Sequence, residues 1–122
     1  MDALRVLIVD DETELVEALV ERLEIRGFQA RGAASGPEAV SAAQENEFDV
    51  AVVDLKMPGM DGLQVIRQLM KIQPELKCVL LTGHGAAENP EQGRQCGASD
   101  CMMKPIDIDV LTQTLRDVAG RG

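Results

Sequence analysis

The sequence contains no tryptophan and no tyrosine, and only two phenylalanines, Phe28 and Phe48. An apolar content of 45% in 122 residues still allows one core, which must be built from aliphatic side chains. No apolar run approaches the roughly 20 residues of a membrane span, and the first residues lead into a strand without the pattern of a signal peptide. We therefore expect one domain over residues 1–122, ordered over about 4–119 with a fraying tail or linker start at 120–122, in a cytoplasmic protein that does not bind membranes.

Basic residues are also scarce, with 12 Lys and Arg against 21 Asp and Glu and a formal net charge of −9. This balance argues against direct nucleic-acid binding by the domain. The three cysteines, Cys78, Cys96 and Cys101, are odd in number and lack C-x-x-C spacing, so reduced structural thiols are expected. The single histidine, His84, follows a glycine in a loop and is interpreted as neither a metal ligand nor a catalytic base.

Short apolar runs alternate with amphipathic stretches along the whole chain. Strands are predicted at Leu4–Val9, Phe28–Gly32, Val50–Val53, Lys77–Thr82 and Asp100–Met103. Helices are predicted over Thr13–Arg26, from a capping box formed by Ser35 and Glu38 to about Glu45, from Asp61 or Gly62 to Pro74, weakly within Pro90–Gln95, and after an Asp107 cap. In the third helix the side chains expected to face inward are Leu63, Ile66, Leu69 and Met70. The alternation predicts an α/β domain with a five-stranded parallel sheet and helices on both faces.

Polar groups follow the predicted strands, and the carboxyl ends of parallel strands share one edge of the sheet. That edge gathers five side chains: Asp10, Asp11, Asp54, Thr82 and Lys104. Three converging carboxylates repel one another, and a hard divalent cation such as Mg²⁺ relieves the repulsion. A lysine and a hydroxyl beside them suit a phosphoryl group. Asp54, on the middle strand, is the best candidate for a carboxylate nucleophile that forms an aspartyl-phosphate.

Four motifs in this order resemble one known family. They are VLIVDDE at Val6–Glu12, VVDLKMPGMDG at Val52–Gly62, LLTGHG at Leu80–Gly85, and the pair Lys104-Pro105. Together they resemble the receiver (CheY-like) domain of two-component response regulators over about residues 4–119. The resemblance implies a flavodoxin-like (βα)5 fold with strand order 2-1-3-4-5.

The resemblance also implies a set of site residues. Asp54 would accept a phosphoryl group from a histidine kinase or phosphotransfer protein, in a Mg²⁺-dependent reaction. The metal ligands would be Asp10, Asp11, Asp54 and the backbone carbonyl of Lys56. Thr82 and Lys104 would contact the phosphoryl oxygens, and the Lys104–Pro105 peptide bond would be cis.

Such a domain is a phosphoacceptor and not an enzyme, apart from slow self-catalysed phosphoryl transfer and dephosphorylation. Its implied partners are the kinase and a C-terminal output domain or separate partner protein, with dimer formation on phosphorylation. The switch would involve Thr82, Cys101 and Pro105, but Cys101 occupies a position where the family commonly has Tyr or Phe. We therefore expect the signal to travel through the weak segment Ala86–Gly97, which should be the most mobile part before phosphorylation.

Two other functions use similar groups. A phosphohydrolase with an aspartyl nucleophile would place that nucleophile at the end of its first strand and a second acid two residues later, whereas Asp10 and Asp11 are adjacent. A receiver-like binding module that is never phosphorylated would have lost the acceptor or the acid pair, and both are present.

Overall fold

A computed structural model describes residues 3–57, 59, 61–83 and 99–120 of the chain. Five parallel strands form one sheet in the order β2-β1-β3-β4-β5, as predicted. The strands are β1 (Arg5–Val9), β2 (Gln29–Ala33), β3 (Val50–Asp54), β4 (Lys77–Thr82) and β5 (Asp100–Met103). The described helices are α1 (Thr13–Ile25), α2 (Gly36–Glu45), α3 (Gly62–Ile72) and a last helix (Ile108–Ala119). The predicted helix within Pro90–Gln95, His84 and Cys96 lie outside the described residues.

The three middle strands are buried because their side chains are apolar on both faces of the sheet. In β1, Leu7 and Val9 join the core cluster under α2 and α3, whereas Val6 and Ile8 join the cluster under α1 and the last helix. Each cluster contains one of the two phenylalanines and is otherwise aliphatic among its buried members, apart from Cys78. Alternation along each strand therefore divides the core into two layers, as expected for a sheet covered on both sides.

Local signals set the helix ends. Ser35 Oγ accepts a hydrogen bond from the Glu38 N–H at the start of α2, but the Glu38 carboxylate accepts from Ala34 N–H, so only half of the predicted capping box forms. A complete capping box instead joins Asp61 and Gln64 at the start of α3. Asp107 caps the last helix as predicted.

The predicted inward face of α3 needs one correction. Val65, Ile66 and Leu69 are buried, whereas Leu63 and Met70 are only half-buried against the core. The buried stripe is therefore rotated towards Val65. The prediction for β2 was one residue early, since the strand begins at Gln29. Among the described residues, no helix combines the length and apolarity that crossing a membrane requires.

Candidate functional site

The predicted acid cluster forms at the carboxyl edge of the sheet. Asp10 follows β1 and is fully buried, Asp54 ends β3 with 5% of its surface exposed, and Asp11 is exposed. One carboxylate oxygen from each of these three residues lies within 4.8 Å of the others. The adjacency of β1 and β3 brings them together, because Val9 is in register with Val53. This convergence is the one predicted from the strand ends.

Lys104 enters the cluster from the residue after β5. Its Nζ lies 2.7 Å from Asp10 Oδ2, 3.1 Å from Glu12 Oε1 and 3.6 Å from Asp54 Oδ2. Its side chain is only 16% exposed. The ammonium is therefore the cation of the acid cluster and lies closest to the β1 side.

The electrostatics of the two central groups follow from this arrangement. Burial, together with the charge of Asp10, raises the pKa of Asp54 to about 6 in spite of the nearby lysine. Burial alone would lower the pKa of Lys104, but hydrogen bonding to Asp10 and Glu12 and the charges of Asp10 and Asp54 outweigh it and raise that pKa above its ordinary value. The metal-free site thus holds a firmly protonated lysine beside a carboxylate that is more basic than usual.

Thr82 ends β4 at the same edge and is buried. Its hydroxyl donates a 3.3 Å hydrogen bond to the Met102 carbonyl, and its own carbonyl accepts from the Lys104 N–H at 2.9 Å. The peptide bond between Lys104 and Pro105 is cis, the isomer that the sequence resemblance implies. The Thr82 hydroxyl is therefore engaged with β5 in this state and not with the carboxylates.

The residues present fit a magnesium ion. Three carboxylates supply hard oxygen donors. Asp10 Oδ2 is buried without a hydrogen bond of regular geometry among the described residues, although the Lys104 ammonium forms a close ion pair with it. A buried carboxylate oxygen with unused acceptor capacity is what a bound cation would satisfy. Lys56 lies exposed two residues after Asp54, and its backbone hydrogen-bonds the Asp54 carboxylate.

Gly62 packs against the end of β3, a role that the sequence interpretation missed. Its N–H donates a 2.8 Å hydrogen bond to the Leu55 carbonyl, and a Cβ on this residue would lie 2.3 Å from the Asp54 carbonyl oxygen. The first turn of α3 therefore touches the backbone of Asp54 directly. The only sequence signal was the glycine itself, at the predicted start of the third helix.

We predict that Gly62→Ala destabilises the protein by about 1–2 kcal/mol, because backbone atoms of Asp54 and Leu55 must move to admit the methyl group. Gly83→Ala is the matched control, since a Cβ there meets no described atom within 4 Å, and it should be neutral or slightly stabilising. Denaturant unfolding of both variants measures the difference, and equal midpoints would refute the close approach.

The remaining site residues are Glu12, which was not predicted, and Cys101. Glu12 reaches Lys104 from the turn before α1, and its place directly after Asp10 and Asp11 was the available signal. Cys101 is a half-buried residue of β5, in register with Leu80 and packed against the core. Burial raises the pKa of the other described thiol, Cys78, to about 12, in keeping with a structural role.

Comparison with known proteins gives a consistent result. The family model described as the response regulator receiver domain matches residues 6–116. The chain is 36% identical to the C4-dicarboxylate transport transcriptional regulatory protein DctD of Rhizobium meliloti, over 91% of this chain and 24% of that protein. It is 33% identical to the transcriptional regulatory protein GlrR of Escherichia coli, over 91% of this chain and 25% of that protein. The chain thus spans about a quarter of the length of these curated relatives.

A solved structure shares the architecture. The response regulator receiver domain protein from Clostridium thermocellum has a TM-score of 0.89 and 30% identity to this chain, and the match covers 97% of this chain and 95% of that one. The similarity therefore extends over almost the entire length of both chains.

Proposed function

This chain belongs to the response regulator receiver domain family, whose members are phosphoacceptor signalling domains, and we propose that Asp54 is its acceptor. The observation that carries the proposal is the position of the Asp54 carboxylate, at the end of the central strand. It lies 3.6 Å from the Lys104 ammonium and within 4.8 Å of carboxylate oxygens of Asp10 and Asp11. Cationic groups can therefore neutralise a phosphoryl group on this side chain.

Access and position favour Asp54 over its neighbours. Asp10 is completely buried, so a phosphodonor has no approach to its carboxylate. Asp11 is exposed at the rim and forms no ion pair with Lys104 that the structure shows among the described residues. Asp54 retains a small exposed surface through which a phosphodonor can reach its carboxylate.

The transfer we propose moves a phosphoryl group from a histidine kinase or phosphotransfer protein. An Asp54 carboxylate oxygen attacks phosphorus, a P–O bond forms and the P–N bond of the donor phosphohistidine breaks. The electron pair of that bond stays on the imidazole nitrogen, which takes up a proton from solvent. Receiver domains bind Mg²⁺ at an acidic pocket of this kind, and Asp10, Asp11, Asp54 and the Lys56 carbonyl would hold it here. Bound Mg²⁺ supplies positive charge for the phosphoryl oxygens.

Lys104 and Thr82 complete the proposed site. The Lys104 ammonium would form an ion pair with a phosphoryl oxygen, and the Thr82 hydroxyl would donate to another. For this, the hydroxyl must leave the Met102 carbonyl, 3.3 Å away. Phosphorylation would then break the hydrogen bond from the Thr82 hydroxyl in β4 to the Met102 carbonyl in β5. Strand β5 also contains Cys101, and Pro105 follows shortly after it.

The loss of this contact between β4 and β5 is proposed to transmit the signal to a partner. An attached C-terminal output domain or a separate partner would read the change, with dimer formation as one consequence of phosphorylation. The length of the relatives, about four times that of this chain, supports an attached domain. The site would also hydrolyse its own aspartyl-phosphate slowly, which resets the signal without making the domain an enzyme for another substrate. The proposed route through Ala86–Gly97 involves residues outside the described ones.

Treatment of the protein with acetyl phosphate should add one phosphoryl group in Mg²⁺ and none in EDTA, because the three carboxylates repel an incoming anion without the cation. Intact mass gives the stoichiometry, and borohydride reduction of the acyl phosphate followed by peptide mapping gives the position. Modification at Asp54 supports the proposal. Modification at another residue, or equal modification in EDTA, would overturn it.

A further inference from the structure

Lys104 forms ion pairs of unequal length with the three carboxylates around it. Its ammonium lies nearer to Asp10 and Glu12 than to Asp54, the proposed acceptor. Asp10 and Glu12 both belong to the segment that follows β1, and the Asp10 carboxylate also accepts from the Glu12 N–H at 3.0 Å. The lysine is therefore drawn towards the β1 side of the site, away from the place where a phosphoryl group would be attached.

We propose that Glu12 is a positioning residue that restrains Lys104 in the unphosphorylated state. This inference rests on the proposed function of Asp54. A phosphoryl group on Asp54 would draw the ammonium, now 3.6 Å from Asp54 Oδ2, towards β3 and weaken its 3.1 Å hydrogen bond to Glu12. Glu12 thus competes with the phosphoryl group for the same cation, and the competition favours the unphosphorylated form.

Exposure supports this role for Glu12 and not for Asp10. The side chain of Glu12 is 63% exposed, whereas that of Asp10 is fully buried. An exposed carboxylate can release the lysine at small cost because water replaces the contact. Asp10, by contrast, remains in the site in both states as a proposed metal ligand. The adjustable part of the restraint is therefore the Glu12 contact.

The first test measures the affinity for beryllofluoride, a mimic of the phosphoryl group, at saturating Mg²⁺. Glu12→Gln removes the carboxylate charge with little change of shape, and the affinity should rise about threefold, the scale of a partly exposed ion pair. Glu14→Gln makes the same change in the exposed first turn of α1 and should alter the affinity less than twofold. Equal affinities for the two variants, or a weaker affinity for Glu12→Gln, would overturn the inference.

The second test asks whether the effect passes through Lys104, which a purely structural role of Glu12 would not require. Denaturant midpoints in EDTA are compared for Glu12→Gln, Lys104→Met and the double variant. Glu12→Gln should lower the midpoint when Lys104 is present and raise it in the Lys104→Met background, where only repulsion from Asp10 and Asp54 remains. Additive midpoints would overturn the inference, and the beryllofluoride result decides alone if Lys104→Met does not fold in EDTA.

The Asp54→Asn variant separates failure of this inference from failure of the proposed function. If Asp54→Asn binds beryllofluoride as the wild type does, the assignment of the acceptor is wrong. If the wild type binds and Asp54→Asn does not, the acceptor stands, and the Glu12 variants alone decide the positioning role.

Discussion

Phosphoryl uptake is expected to fall to zero in Asp54→Asn, the largest single effect that the site predicts. An amide nitrogen or oxygen cannot replace the attacking carboxylate oxygen, and the neighbouring Asp10 is too deeply buried to act instead. The measurement is intact mass after incubation with acetyl phosphate and Mg²⁺, under the conditions that modify the wild type. The substitution preserves shape, so the variant should fold.

Asp117→Asn is the matched control for this change. Asp117 is exposed on the last helix, where its carboxylate accepts from the Gln113 side chain at 2.9 Å. This variant should be modified as fast as the wild type. Modification of Asp54→Asn at a comparable rate would show that another residue carries the phosphoryl group.

The second large effect concerns stability without metal. Asp54 binds its proton with a pKa of about 6 in the folded protein against 3.8 for an unperturbed carboxyl. Between these values the folded state holds more protons than the unfolded state, so the free energy of unfolding decreases as pH rises through this window. Above about pH 6 the loss amounts to about 2–3 kcal/mol, on the scale of 1.36 kcal/mol per pKa unit.

The Asp54→Asn variant lacks this titration, so in EDTA it should gain stability relative to the wild type as pH rises from about 4 to 7. Denaturant unfolding across this range, read as the difference between the two proteins, cancels the other titrating groups to first order. Addition of Mg²⁺ should raise the wild-type melting temperature and shrink the difference, since the cation binds the folded state. A difference that stays flat with pH, or that Asp117→Asn reproduces, would contradict a desolvated acid cluster.

The order of the strands was implied only by the family resemblance, whereas β1, β3 and β4 themselves could be predicted because they are short aliphatic runs. Their alternation with amphipathic stretches implied a parallel sheet. A parallel sheet places all strand carboxyl ends at one edge, so Asp10, Asp54 and Thr82 could be assigned to a common site from the sequence. The motifs around these residues then indicated the family.

Sequence patterns predicted the buried faces and the ends of the helices less well than they predicted the strands. Val65 is buried although the predicted stripe ran through Leu63 and Met70. Apolar residues occupy several adjacent angles around α3, and packing against α2 and the sheet selects among them. Glu38 likewise had the spacing of a capping box, but its carboxylate bonds the preceding residue, Ala34.

By itself, the sequence determined the fold, the edge of the sheet that carries the site and the identity of the acidic and basic groups there, because hydrophobic pattern and strand polarity are properties of local segments. Only the tertiary structure decided which acids hold Lys104 and which backbone Gly62 touches. The Lys104–Glu12 contact joins residues 92 positions apart, and the Gly62 approach depends on how α3 packs against β3. Such contacts depend on distances of a few ångströms between side chains and backbones from separate elements, which no spacing in one segment encodes.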